Sequence, residues 1–300
     1  DGKIYGRGAS DMKVSDCAMV MAAGRFAAQT KKNFAGTICV SGTVHEECFE
    51  GVAPREVTKR VKPDFVIVGE AMSTSIKIGQ RGRAEVVVET EGVSCHSSNP
   101  EKGVNAVYGM MAVIEEIRKI VPNEHPLLGR GILELTDIVS APYPGASVVP
   151  AACRATFDRR TLVGEDEAVI LGQVEEAIAR AQEKHPEIKA RCYLATGTEA
   201  CWTGDTISAK RYFPAWVVDE NSELVVKARR GLEAAGIDAP LSHFSFCTNG
   251  SHFCGEAGIP TIGYGPSLES LAHVRDEYIE ISQLTKACRG FASILAELPR

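Results

Sequence analysis

The stretch from Gly79 to about Tyr212 is written in a different pattern from the chain on either side of it. "RAEVVVETEG" alternates apolar and polar residues as a strand does, and "GVNAVYGMMAVIEEIRKI" carries its apolar residues at helical spacing. "GILELTDIV" and "CRATFDRRT" are two further strands, "EDEAVILGQVEEAIARAQEKH" is a second helix and "EIKARCYLA" a last strand. The order β-α-β-β-α-β is that of a ferredoxin-like unit, which closes upon itself. The flanking segments must then meet each other around it.

Those flanks read as one α/β domain. Ala, Met and Phe recur at helical spacing in "CAMVMAAGRFAAQ", and "GTICVSGTV" reads as a buried strand. "PREVTKRV" is a helix with Pro54 near its start, and "DFVIVGEAM" is a second apolar strand that ends in an acid. "ENSELVVKARRGLEAAG" resumes the helical period and stops at Gly236, and "GIPTIGYG" is another buried strand. The map is a catalytic α/β domain of residues 1–78 and 213–300, interrupted by an inserted domain of residues 79–212 that includes its return linker. The fold class is α/β with a mixed sheet.

Within that map, acids and one imidazole fall where strands end. Glu46 and Glu47 follow "TICVSGTV", Glu70 follows "FVIV", Asp11 follows "GRGAS" and His273 lies in "LAHVRDEY". Strand C-termini face the ligand crevice of an α/β sheet. Two adjacent glutamates repel unless a positive charge lies near them, and a set of carboxylates with an imidazole suits a divalent ion such as zinc. Taken singly, each residue has a plainer use: Asp11 as the cap of the helix that follows it, Glu46 and Glu47 as solvated loop residues, His273 as a surface histidine. The joint pattern favours metal binding. His45, His125, His185, His243 and His252 are read as non-ligands.

With a formal net charge of −6 and no cluster of Lys and Arg, a nucleic-acid partner is not expected. No apolar run approaches the roughly 20 residues a membrane span needs. The ten cysteines form no C-x-x-C pair, so most of them read as small buried thiols of a cytoplasmic protein and not as a disulfide or zinc-knuckle framework.

The blocks "GRGASDMK", "HEE", "VGEAM", "GQRGRAEVVVETEGVSCHSSNPEKGVNA", "DRRTLVGE", "TNGS" and "GIPTIGYGPSLESLAHVRDE" follow one another along the whole chain. In this order they resemble the co-catalytic zinc superfamily of aminoacylases, carboxypeptidase G and succinyl-diaminopimelate desuccinylases. The wording of "CWTG", "RYFPAW" and "GIPTIGYGP" is most similar to a subgroup of hydrolases linked to selenium and purine metabolism. The resemblance implies that Asp11 bridges two Zn2+ ions, with Co2+ or Mn2+ as possible substitutes. It implies further that Glu47 and His273 complete one ion, that Glu70 belongs to the other and that Glu46 is the general base. His96 resembles the histidine that reaches from the partner subunit of a homodimer, joined through the inserted domain, to polarise the scissile carbonyl. Arg160 matches an arginine that clamps a substrate carboxylate, and Asn249 and Gly250 match a substrate-facing loop.

The family also places a His-x-Asp motif upstream of "GRGASD". Ten residues precede Asp11 here and none is histidine, which gives the expectation that the chain is part of a longer protein. Ser147 stands where relatives often carry Asn.

The reading is a hydrolase that cleaves an amide bond, whether peptide, N-acyl or carbamoyl, in a small carboxylate-bearing substrate. Two others stand beside it: a metal-deficient, non-catalytic homologue that dimerises and binds a small ligand, and a thiol hydrolase using Cys95.

Overall fold

A computed structural model of the chain describes residues 2–298. The chain divides into two units, one formed by the chain up to Gln80 together with the chain from Trp216 onward, the other by Arg81–Ala215.

In the inserted unit Gly82–Glu91 is the central strand. Along one edge it pairs antiparallel with Ala152–Thr161, Arg83 standing opposite Arg160. Along the other it pairs with Lys189–Leu194 and, near its start, with the short strand Tyr212–Phe213. Ile132–Ala141 pairs with Ala152–Thr161 and forms the outer strand. The helices Ala106–Ile117 and Glu167–Lys184 lie against this sheet, and Met110, Val113, Val174 and Ala177 from the helices bury against Val86, Val88, Ala155 and Phe157 from the strands. Burying side chains of this size stabilises by about 1.5–3 kcal/mol each. Both helices begin at side-chain caps: Asn105 accepts from the Val107 N–H and Asp166 from the Val169 N–H. Two short hairpins, Glu124–His125 with Gly129–Arg130 and Thr196–Ala200 with Thr206–Lys210, lie outside the expected elements.

The flanking unit has a mixed sheet. Ile76–Gln80 runs parallel to Leu241–Phe244 and antiparallel to Trp216–Val217, and it meets Thr261–Gly263 through the Gly263–Lys77 pair. Thr261–Gly263 in turn runs parallel to Val66–Val68. The helices Lys13–Gln29, Pro54–Val61, Glu223–Ala234 and Ile281–Glu297 accompany the sheet, the last packing on both the first and the third. A separate two-stranded ribbon pairs Lys3–Tyr5 with Tyr278–Glu280. No helix among the described residues is long and apolar enough to cross a membrane.

One element departs from its expected form. Residues 37–43 make no strand and are largely exposed. Ile38, Cys39 and Val40 line a cavity of about 910 Å³ together with Phe65 and Ile67, at the edge strand Val66–Val68. Apolar character asks for burial, but a strand also needs a ladder to join, and this run pairs with none.

Candidate metal centre

The site is built in the flanking unit from four segments. Asp11 closes a loop that runs from the ribbon strand Lys3–Tyr5 to the helix Lys13–Gln29. It does not cap that helix, whose cap position is Met12 and whose cap carries no side-chain hydrogen bond. Glu277 holds the loop. One of its oxygens accepts the backbone N–H of Gly8 at 3.0 Å, of Ser10 at 2.7 Å and of Asp11 at 2.9 Å, and the other meets the Arg7 guanidinium at 2.8 Å. Burial alone would raise the Glu277 pKa; the three N–H groups and Arg7 outweigh it and hold the carboxyl below its usual range. Glu277 carries no ligand signature, so motif reading passes over it; its signal is three backbone donors converging on one buried acid.

Glu46 and Glu47 sit on a turn that begins at His45, which adopts a left-handed φ of 56°. Asn249 straps both ends of this segment: its Oδ1 accepts from Gly51 N–H at 3.0 Å and its Nδ2 donates to Thr43 Oγ1 at 3.0 Å. The neighbouring residues are themselves fixed. Thr248 Oγ1 donates to Gln80 Oε1 at 2.6 Å and accepts from Gly250 N–H, and Gln80 Nε2 donates to Ser251 Oγ at 2.9 Å, Gln80 being wholly buried. Gly250 packs so closely on the Trp216 indole that a Cβ there would stand 2.5 Å from Nε1.

Glu70 follows the strand Val66–Val68 and is 4% exposed. Burial, and then the charges of Glu46, Asp11, Glu47 and Asp16, push its pKa well above the usual carboxylate range. Asp11 is raised too, by burial first and next by Glu47, with His273 opposing. Asp11, Asp16, Glu46, Glu47, Glu70 and Asn249 line one cavity of about 600 Å³. Asp16, a further acid of this wall, was not singled out from the sequence. Lys13 also lines it, but its ammonium donates to the Arg7 carbonyl at 3.4 Å.

His273 follows the short turn Glu269–Leu271 with φ at 57°. Its Nε2 lies 2.9 Å from Glu47 Oε2 and 3.1 Å from Asp11 Oδ2. Ligand atoms of the three residues all fall within 4.8 Å of one another. A tetrahedral ion with bonds near 2.0–2.2 Å would set its donors roughly 3.3 Å apart, a little more than the two distances from His273 Nε2. The donor set is hard oxygen with one imidazole, and the repulsion that raises Glu70 and Asp11 is what a bound cation relieves. Among the described residues no other cluster of three potential ligands forms. His252, read as a non-ligand, bonds Glu256 at 2.7 Å and Thr58 at 2.9 Å.

In the inserted unit His96 is exposed, and its Nδ1 accepts from the Ser98 N–H at 3.1 Å with Ser98 Oγ at 2.7 Å. An Nδ1 used as acceptor leaves the proton on Nε2, which is then a donor. Cys95 donates to the Asn99 carbonyl at 3.3 Å. Arg159 and Arg160 alternate across their strand. Arg159 is buried against Glu165 at 3.0 Å and Gln173, while Arg160 is partly exposed and bonds Asp158 at 2.7 Å. Burial lowers the Arg81 pKa, and the neighbouring Arg160 charge lowers it further.

Known proteins carry the same overall design. A protein of Escherichia coli K12 named "Uncharacterized protein YgeY" is 31% identical over 299 residues, covering 98% of this chain and 72% of that one. The succinyl-diaminopimelate desuccinylase of Rickettsia rickettsii is 28% identical over 309 residues, covering 99% of this chain and 76% of the enzyme. Among solved structures, aminopeptidase PepT from Bacillus cereus ATCC 10987 superposes with a TM-score of 0.72 at 18% identity, over 100% of this chain and 75% of that one. An M20 family metallo-carboxypeptidase, Sso-CP2 from Sulfolobus solfataricus, superposes at 0.68 and 16% identity, over 100% of this chain and 78% of that one. At such identities the two superpositions establish the fold. A single family model, that of peptidase family M20/M25/M40, matches residues 1–297, and the chain is a member of that family.

Proposed function

We propose that the protein is a metal-dependent hydrolase that opens an amide bond in a small, carboxylate-bearing substrate. The observation that carries this reading is the meeting of His273 Nε2 with Asp11 and Glu47 at 3.1 and 2.9 Å, beside a Glu70 whose charge is opposed by every acid around it. Asp11, Glu47 and His273 would hold one divalent ion, and Asp11 and Glu70 would hold a second. Zn2+ bound there supplies Lewis acidity, polarising a carbonyl and lowering the pKa of water.

The protein's own residues do the rest. Glu46, beside Glu47 in the same cavity wall, takes the proton of the attacking water and delivers it to the leaving nitrogen. His96 of the partner subunit, with Nδ1 occupied by Ser98, offers Nε2–H to a developing oxyanion, a contribution of about 10²–10³-fold in rate for donors of this kind. Arg160 presents a planar guanidinium suited to a carboxylate.

We place the enzyme in the cytoplasm, a reading supported by the scattered spacing of its ten cysteines, which form no C-x-x-C pair and no disulfide framework pattern. We further propose a homodimer through the inserted unit, whose outer strand Ile132–Ala141 exposes Ile132, Ile138 and Val139.

The test is a metal inventory joined to an amidase panel. Two Zn2+ or Co2+ per chain are expected, with hydrolysis of N-acyl amino acids or dipeptides lost on chelation and restored by the ion. Glu46→Gln should lower kcat by about 10³-fold or more with metal content unchanged. Turnover that survives chelation and fails on alkylation would transfer the chemistry to Cys95. One feature favours a second reading, a homologue that binds ligand without turnover: a three-donor cluster forms once among the described residues. One ion or none per chain, with no hydrolysis, would select it.

A further inference from the structure

The loop that delivers Asp11 has little of its own to hold it. Seven residues, 6–12, separate the end of the ribbon strand at Tyr5 from the start of the helix at Lys13, and Asp11 leaves its helix uncapped. Gly6, at φ 151°, and Gly8, at φ 88°, give this stretch backbone freedom that other residues lack. Inside the loop, Ala9 N–H meets the Gly6 carbonyl and Val14 N–H the Gly8 carbonyl. Outside it, the contacts gather on one residue. Gly6 N–H donates to the Glu277 carbonyl at 3.0 Å, which carries the ribbon one step past Tyr5. From there the Glu277 carboxylate takes over, accepting from Gly8, Ser10 and Asp11 in turn on a single oxygen. The Ser10 and Ser267 hydroxyls, 2.6 Å apart, add a second tie.

We propose that Glu277 is a positioning residue for the metal centre, holding the Asp11 carboxylate where an ion would need it by fixing the backbone amide from which that side chain departs. The inference rests on the metal reading given above. The carboxylate is 2% exposed, and its second oxygen is turned to Arg7. Its bonds run to the loop's amides, so it acts on the cavity through Asp11 and donates no atom to the ion. A glutamine can keep one acceptor for the three amides but brings no charge, and charged acceptors bond roughly twice as strongly. An alanine leaves three amides without their acceptor.

The experiment follows two readouts in the metal-free full chain and three variants: amide hydrogen exchange, and titration with Co2+ alone. In Glu277→Ala, exchange over residues 6–12 should quicken by about tenfold or more while the strand Gly82–Glu91 keeps its protection. Co2+ affinity should fall about 10–100-fold, the range found when a partner of a ligand is removed. Glu277→Gln should lie between that variant and the wild type in both readouts, and it decides the matter should the alanine variant fail to fold. Arg7→Ala, which spares the three amide bonds, should stay within about twofold of the wild type. A wild type that binds Co2+ alongside Glu277 variants that bind it as tightly overturns this inference alone, as does unchanged exchange over 6–12. A wild type that binds no Co2+ refutes the metal reading and the positioning role with it.

Discussion

Two acids of the centre hold their protons more tightly in the fold than in the unfolded chain. Glu70 is raised by burial and by the charges of Glu46, Asp11, Glu47 and Asp16, and Asp11 by burial and Glu47. A raised acid contributes stability that is complete below the unfolded pKa, near 4, and is lost as pH climbs through the folded value. The thermal midpoint of the metal-free protein should therefore fall as pH rises from about 4 toward neutrality. Glu70→Gln, with no charge to repel, should flatten that fall, raise metal-free stability at neutral pH by about 1–3 kcal/mol, and remove the stabilisation that Zn2+ gives the wild type. Calorimetry with and without chelator reads all three, and a slope of the opposite sign would count against the electrostatics described here. At this scale residue type was legible and position was not: Asp11, Glu47 and His273 meet, yet none of the three ends a strand in the fold, and the run before Glu47 is no strand at all. Glu277 and Asp16 were not legible, because one works through backbone amides far away in the chain and the other looks like any acid in a helix's first turn. Ser147 adopts a φ of 54°, a left-handed backbone that Asn accepts more readily than Ser.

Periodicity carried the inserted unit well, since each strand and helix there presents one apolar face to a shared core. Met110, wholly buried in the helix Ala106–Ile117, is a fair probe of that core. Met110→Ala should cost about 2–5 kcal/mol and show it as faster exchange across Gly82–Glu91, the central strand. Undiminished protection there would mean that the core is not the one drawn here. Periodicity failed in two other places. The run at 37–43 has the composition of a strand but joins no ladder, and composition says nothing about the partner. The helix Ile281–Glu297 went unread: it has no side-chain cap, and Gly290 sits at its middle. That glycine is needed for contact, since a Cβ there would stand 1.9 Å from the Tyr264 hydroxyl.

The proposed homodimer belongs to the scale of the whole molecule. Ile132–Ala141 leaves one edge without a neighbour among the described residues and exposes apolar side chains along it, a combination that invites another chain. Sedimentation should show a dimer for the wild type, and lysines at Ile138 and Val139 should shift it to monomer while the inserted unit stays folded. A monomeric wild type at tens of micromolar would remove the dimer from the reading. The ribbon of Lys3–Tyr5 with Tyr278–Glu280 has its own consequence, one of time. It pairs Lys3 with Glu280, and just beyond it the Asp11 N–H meets the Glu277 carboxylate 266 residues away, across an independently patterned insertion. Closing so long a loop is slow relative to helices and hairpins that form from neighbours. The imidazole is therefore the late arrival among the donors for an ion: during synthesis His273 joins Asp11 and Glu47 only after the whole inserted unit has left the ribosome.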